Sequence, residues 1–189
     1  MKISLNNITK DFGANRILDN FSCTFGHGQT TVIMGKSGIG KTTLLRIAAG
    51  LDKDYSGEIT PKKYTVSVVF QEPRLFPGAT VLENLLAVAD KKRSVELLDK
   101  MGISKDAFSL FPDEISGGMA RRVSLARGLL FDADVYLIDE PFFGLDKENA
   151  ENIADIIKSY MQNKTCVIVT HNRDFAEMLA DNIINLKKS

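Results

Sequence analysis

The chain is notable first for what is scarce in it. Lys plus Arg and Asp plus Glu each number 24 in 189 residues, so there is no basic excess to lie along a nucleic-acid backbone. No nucleic-acid partner is expected. No apolar run approaches the length that crosses a bilayer, and the opening Met1-Lys2-Ile3-Ser4-Leu5-Asn6-Asn7 lacks the apolar stretch of a signal peptide. A protein of this kind docks at a membrane if it works at one. The only cysteines, Cys23 and Cys166, lie in apolar, strand-like surroundings without C-x-x-C or Cys/His spacing. This argues against a zinc site or a disulfide framework and predicts reduced, buried thiols in a cytosolic chain. No repeat or low-complexity segment divides the sequence, and its length suits one domain with at most a small inserted subdomain.

The patterning that is present reads as alternating strands and helices. Residues 2–8 and 16–25 predict two antiparallel strands about a turn at Asp11-Phe12-Gly13. Thr30 to Met34 predicts a buried strand, and Leu44, Leu45, Ile47, Ala48 and Leu51 then recur at helical spacing up to a stop at Gly50. Tyr64 to Phe70 predicts a further strand. Residues 72–117 change character, with helical patterns at Val81 to Ala89 and Ser94 to Met101, and read as a helical insertion. A helix from Ser116 to about Leu130 leads into the apolar strand Val135 to Ile138, which ends at Asp139-Glu140-Pro141. Lys147 to Met161 places Ile153, Ala154, Ile157 and either Tyr160 or Met161 on one face, ahead of the strand Thr165 to Thr170 and a last strand at Ile183 to Leu186. The alternation implies an α/β fold with a mostly parallel sheet and helices on both faces.

Two glycine-rich turns stand where helices begin: Gly35-Lys36-Ser37-Gly38-Ile39-Gly40-Lys41-Thr42, and Ile115-Ser116-Gly117-Gly118-Met119. The first satisfies G-x-x-x-x-G-K-[ST] between a strand and a helix, so its backbone N–H groups are expected to cradle phosphates. Lys41 would neutralise the β/γ-phosphates, and Thr42 would offer a hydroxyl to Mg²⁺, a hard cation that takes oxygen ligands. Asp139, at the carboxyl end of a strand where ligands of open α/β sheets collect, is the natural anchor for that ion. Glu140 beside it would polarise an attacking water, because phosphoryl transfer needs positioning and charge neutralisation more than covalent help. His171 reads either as a capping histidine or as a γ-phosphate contact, and Gln71 either as a surface amide or as a ligand at the entry to the insertion. The second glycine turn reads by itself as a helix capped by Ser116.

In this order the motifs resemble the ATP-binding cassette of ABC transporters, over nearly the whole chain. Gly35 to Thr42 is similar to the Walker A loop, Val135 to Asp139 to the Walker B strand, Gln71 to the Q-loop and His171 to the switch histidine. Ser116-Gly117-Gly118-Met119 is similar to the signature, and Gly144-Leu145-Asp146 to the D-loop. The resemblance implies a P-loop NTPase, RecA-like core with an N-terminal antiparallel β layer and a short inserted helical subdomain. It divides the single domain 1–189 into a core of 1–71 and 118–189 and a helical part of 72–117. It also implies ATP and Mg²⁺ as cofactors, with nucleotide contacts from Gly35, Lys36, Ser37, Gly38, Ile39, Gly40, Lys41, Thr42 and Thr43, and Phe12 stacking on adenine. Thr42, Gln71 and Asp139 would serve the metal, and Glu140, His171 and Gln71 the hydrolysis. Two copies would pack head to tail, each offering Ser116 to Met119 to the other's ATP, with Asp146 communicating between them.

Gln71-Glu72-Pro73-Arg74-Leu75-Phe76-Pro77, Thr80-Val81-Leu82-Glu83-Asn84, Met119 and Pro141-Phe142 resemble most the importer ATPases for nitrate, sulfonate, taurine and related nutrients. The implied function is ATP hydrolysis that drives transport of a small solute, from a peripheral position on the cytoplasmic side of the membrane. The implied partners are an integral-membrane permease, met by Leu75-Phe76-Pro77, and a solute-binding protein reached through it. The chain departs from the family at Met119, where glutamine is commoner, and at Phe12, where tyrosine is usual. The stretch from Gln71 to Ser116 is short, and the chain stops soon after Leu186, which suggests minimal, unregulated coupling. An ATP-gated assembly module acting on a membrane partner would use the same motifs. A DNA-repair ATPase is disfavoured by the missing coiled-coil insertion and basic stripe, and a GTPase by Asn163-Lys164-Thr165-Cys166, which lacks an acidic residue for guanine.

Overall fold

Strand alternation on two sides of one sheet explains the architecture of the computed structural model, which describes residues 1–187. Five strands, β3 (Thr30–Met34), β5 (Val66–Val69), β6 (Val135–Asp139), β7 (Thr165–Val169) and β8 (Asn182–Asn185), pair in parallel in the order β5-β6-β7-β3-β8. Successive side chains of β6 and β7 enter opposite cores. Tyr136, Ile138, Cys166 and Ile168 join one buried cluster, and Val135, Leu137, Val167 and Val169 the other. The first cluster is covered by α4 (Gly117–Leu130), α5 (Lys147–Tyr160) and α6 (Arg173–Leu179), the second by α1 (Lys41–Ala48).

A second sheet of order β2-β1-β4 closes over α1 from outside. It is built from β1 (Ile3–Phe12), β2 (Asn15–Phe25) and β4 (Ser56–Thr60), all antiparallel. Ile3, Leu5, Ile8, Leu18 and Phe25 carry it into the second cluster. Between β5 and α4 the chain forms α2 (Val81–Leu86), α3 (Lys91–Lys100) and a 3₁₀ turn at Lys105–Ser109. Thr80 and Glu83 close a capping box on α2, and Asp90 caps α3. Val81, Leu85, Leu97, Leu98 and Met101 pack into the first cluster.

Several element bounds differ from those the sequence predicts. β1 runs on through Asp11 and Phe12, and the hairpin turns at Gly13-Ala14, so Phe12 is displayed at a strand end. α1 ends before Leu51, which is exposed. α2 starts at Val81 as expected but ends at Leu86, and α3 starts earlier than its apolar residues indicate, because Asp90 caps it at Lys91. Met161, not Tyr160, is the buried residue at the end of α5. Of the two thiols, Cys166 is buried and Cys23 only half-buried; burial raises both pKa values, that of Cys23 to about 12. Among the described residues no helix is long and apolar enough to cross a membrane. Positions 188 and 189 of the expected core lie outside the described residues.

Candidate functional site

Parallel pairing puts the carboxyl ends of β3, β5, β6 and β7 on one edge of the sheet, and the candidate residues gather there. β3 runs into the glycine loop and so into α1. At Gly40 a Cβ would lie 2.5 Å from Cγ2 of Ile17, and φ is +105°, so both space and backbone demand glycine. At Gly35 a Cβ would lie 2.9 Å from the Leu186 carbonyl. The loop is thereby pressed between β2 and the end of β8, which fixes where α1 begins.

That helix start differs from the others. α2 to α6 are capped by side chains of Thr80, Asp90, Ser116, Asp146 and Asn172, whereas α1 has Gly40 at its cap and no side-chain hydrogen bond. The first-turn N–H groups and the positive end of the dipole are left to a ligand, and no acidic residue occupies that turn. Lys41, largely buried, curls back to donate through Nζ to the carbonyls of Gly35 (2.8 Å) and Lys36 (3.1 Å). It thus holds a positive charge across the mouth of the loop.

Thr42 reaches across β7 to β6, where its hydroxyl donates to Asp139 Oδ2 at 2.7 Å. Asp139 is 3% exposed, and its other oxygen, Oδ1, has no partner. Burial first, and the neighbouring Glu140 charge second, push its pKa upward, while the Thr42 hydrogen bond and Lys41 oppose that shift. An orphaned carboxylate oxygen beside a hydroxyl is the donor chemistry that Mg²⁺ takes, and no cluster of three acidic, histidine or cysteine side chains chelates a metal among the described residues. The ion would therefore be completed by phosphate oxygens and water.

Glu140 holds a left-handed backbone, φ +48°, unusual for a residue with a side chain. Its N–H donates to the Val169 carbonyl at 2.9 Å, which aligns it with the end of β7. Nδ1 of His171, two residues after the end of β7, lies 3.0 Å from both Glu140 carboxylate oxygens. A cavity of ≈ 300 Å³ opens over this edge, lined by Phe12, Ile17, Ser37, Gly38, Gly40, Lys41, Thr42, Thr43, Gln71, Asp139, Glu140 and Val169. Gly35, Lys36 and Ile39 line an adjoining pocket beside Leu186. Ile17 and Val169 complete the lining without any signal in the sequence, since only the folding of β2 and β7 against the loop brings them there.

The second glycine turn is not part of this cavity. Ser116 Oγ accepts from the Met119 N–H at 3.2 Å; Gly117 faces open space, and a Cβ at Gly118 would lie 3.8 Å from the Arg122 guanidinium. Asp146 caps α5 by accepting from the Asn149 N–H and side-chain amide. Arg121 ties the two segments, donating to the Phe143 carbonyl at 2.9 Å with its guanidinium 5.0 Å from that ring.

Residues 18–143 match the ABC transporter family. The aliphatic sulfonates import ATP-binding protein of Bacillus cereus is 38% identical over 97% of this chain and 80% of its own length. Its counterpart in Pseudomonas savastanoi is 37% identical over 97% and 81%. Among solved structures, a dimeric ATP-binding cassette bound to ADP and Pi superimposes with a TM-score of 0.86 at 30% identity, covering 98% of this chain and 94% of that one.

Proposed function

The chain belongs to the ABC transporter family, and on that premise we propose how its residues divide the work of an importer's ATP-binding subunit, which hydrolyses ATP to drive transport. The observation that carries the reading is the Thr42–Asp139 hydrogen bond across β7 with Glu140 and His171 joined beside it. It brings the glycine-loop helix, Asp139, Glu140 and His171 to one sheet edge, which supports reading them as a phosphate loop, a metal-binding pair and a carboxylate for water. Ser37 to Thr43 receive the phosphates, and Phe12 supplies the face for adenine. Thr42 and Asp139, with Gln71 at the rim, would hold Mg²⁺, which neutralises phosphate charge when bound. Glu140 orients the attacking water, and His171 fixes the carboxylate and senses the γ-phosphate. The strained backbone of Glu140 aims that carboxylate into the cavity.

Ser116 to Met119 do not line this cavity, so we assign them to the ATP of a second copy, with Asp146 at the same junction. Residues 72–117 form the helical part that meets the permease. Gln71 lines the nucleotide cavity, and five residues on, Phe76 is half-exposed beside Phe131 and Arg127. Nucleotide state is carried to the membrane partner through that short connection. The protein sits peripherally on the cytoplasmic side, and its cargo is a small anion of the sulfonate type, reached through a permease and a solute-binding protein. The test is Glu140→Gln. It keeps the shape and removes the charge, and should abolish steady-state phosphate release while ATP still binds and the dimer persists on gel filtration. Undiminished hydrolysis would overturn the assignment.

A further inference from the structure

Three charged residues are buried among the described ones, and only Lys41 and Asp139 line the nucleotide cavity. The third, Lys10, is 3% exposed on β1. All three of its donors are used: Nζ reaches Asp52 Oδ1 at 3.1 Å, Asp54 Oδ2 at 3.1 Å and the Asp54 carbonyl at 2.5 Å. Both aspartates lie in the loop that leaves α1, and that loop is itself knitted to the helix. Asp52 N–H donates to the Arg46 carbonyl at 3.2 Å, and Asp54 N–H to Asp52 Oδ1 at 3.0 Å. The same ammonium lies 4.8 Å from the centre of the Phe12 ring, two residues along β1.

A buried ammonium must be fully paired to be tolerated, and an apolar side chain of similar length would fill the space without that demand. The contacts of Lys10 have a shared geometric consequence. They fasten the hairpin end that displays Phe12 to the helix whose other end carries the phosphate loop. We propose that Lys10 is a positioning residue for the nucleotide base: through Asp52 and Asp54 it fixes the distance between the Phe12 ring and the phosphate loop, and through its charge it holds the ring against the cavity. This rests on Phe12 being the adenine platform. Lys10 does not line the cavity over the glycine loop, so its influence is confined to ligands that carry a base.

The experiment compares ATP with inorganic triphosphate, each with Mg²⁺, by titration calorimetry on the intact chain, in wild type, Lys10→Met, Phe12→Ala and the double variant. Lys10→Met should weaken ATP about two- to thirtyfold, the range of a cation–ring contact, and leave triphosphate affinity unchanged. The double variant should bind ATP no more weakly than Phe12→Ala alone. Equal losses for ATP and triphosphate, or fully additive losses in the double variant, would overturn the proposal. So would an unchanged ATP affinity in Lys10→Met beside a weakened Phe12→Ala. An unchanged Phe12→Ala would instead strike down the platform reading on which the proposal rests. Should Lys10→Met not fold, Asp54→Ala at a 95% exposed side chain removes one of the three contacts and must show the same selectivity for ATP over triphosphate.

Discussion

Replacing Asp139 by asparagine should strengthen the ligand-free protein and cripple its response to nucleotide. The carboxylate is 3% exposed, with one oxygen satisfied by Thr42 and the other by nothing. A buried acceptor without a partner costs about 1–3 kcal/mol, more when charged. Asparagine keeps an oxygen for the Thr42 hydroxyl and removes the charge, but turns an unpartnered amide toward the cavity, so only part of that cost is recovered. A net gain of about 1 kcal/mol corresponds to a Tm higher by about 2–4 °C in a chain of this size. In wild type, Mg²⁺ and ATP at a hundred times Kd add about 2.7 kcal/mol, or roughly 5–10 °C. Asp139→Asn should lose most of that increment, because the oxygen we assign to the ion is gone. Differential scanning calorimetry with and without ATP and Mg²⁺, and with ATP plus a chelator, measures both effects. A variant that melts below wild type without nucleotide, or that keeps the full shift with it, would refute the reasoning.

Three further outcomes are expected. Ser116→Arg should leave ATP binding by the same chain intact and prevent ATP-dependent dimerisation and turnover, read by calorimetry and light scattering; lost binding would mean that the turn serves its own chain. Gly128→Ala brings a Cβ to 2.3 Å from Val69 Cγ2, where α4 lies on β5, and should destabilise by about 1–3 kcal/mol in denaturant titration. Asp134 accepts from the Thr65 N–H and hydroxyl, both at 2.8 Å, and these bonds, the backbone one first, hold its pKa below the usual 3.8. A depressed carboxyl pKa stabilises the fold above the ordinary value and loses that contribution as pH falls through the lowered one. Asp134→Asn should therefore lower Tm at neutral pH, with the gap to wild type closing as the pH drops below 3.8.

The features that local spacing encodes were legible before any coordinates. The glycine loop, its lysine and its threonine are consecutive, and the strand and helix on either side follow from apolar periodicity, so the loop needs no distant partner to be recognised. The cap at Ser116 is equally local, bonding within three residues; that of Asp146 on α5 emerges only from the structure. β4 and α6 left no comparable trace. β4 is an edge strand with one half-buried side chain, so its pattern carries no alternation. α6 has seven residues, too few to persist alone, and is held by the Asn172 cap and by Phe175 stacked on Phe142 at 4.3 Å.

The sequence by itself determined the chemistry available: which residues can bind phosphate, hold a metal or activate water, and in what order they occur. The tertiary structure alone decided which of them meet. Thr42 and Asp139 are 97 positions apart and touch because β7 is inserted between β3 and β6, a pairing that depends on the whole sheet. The left-handed turn at Glu140 and the three bonds to Lys10 from a loop more than forty residues away are likewise products of packing. Periodicity records how each segment buries its own face. It is silent on which distant segment shares the burial, and the site is made at those shared edges.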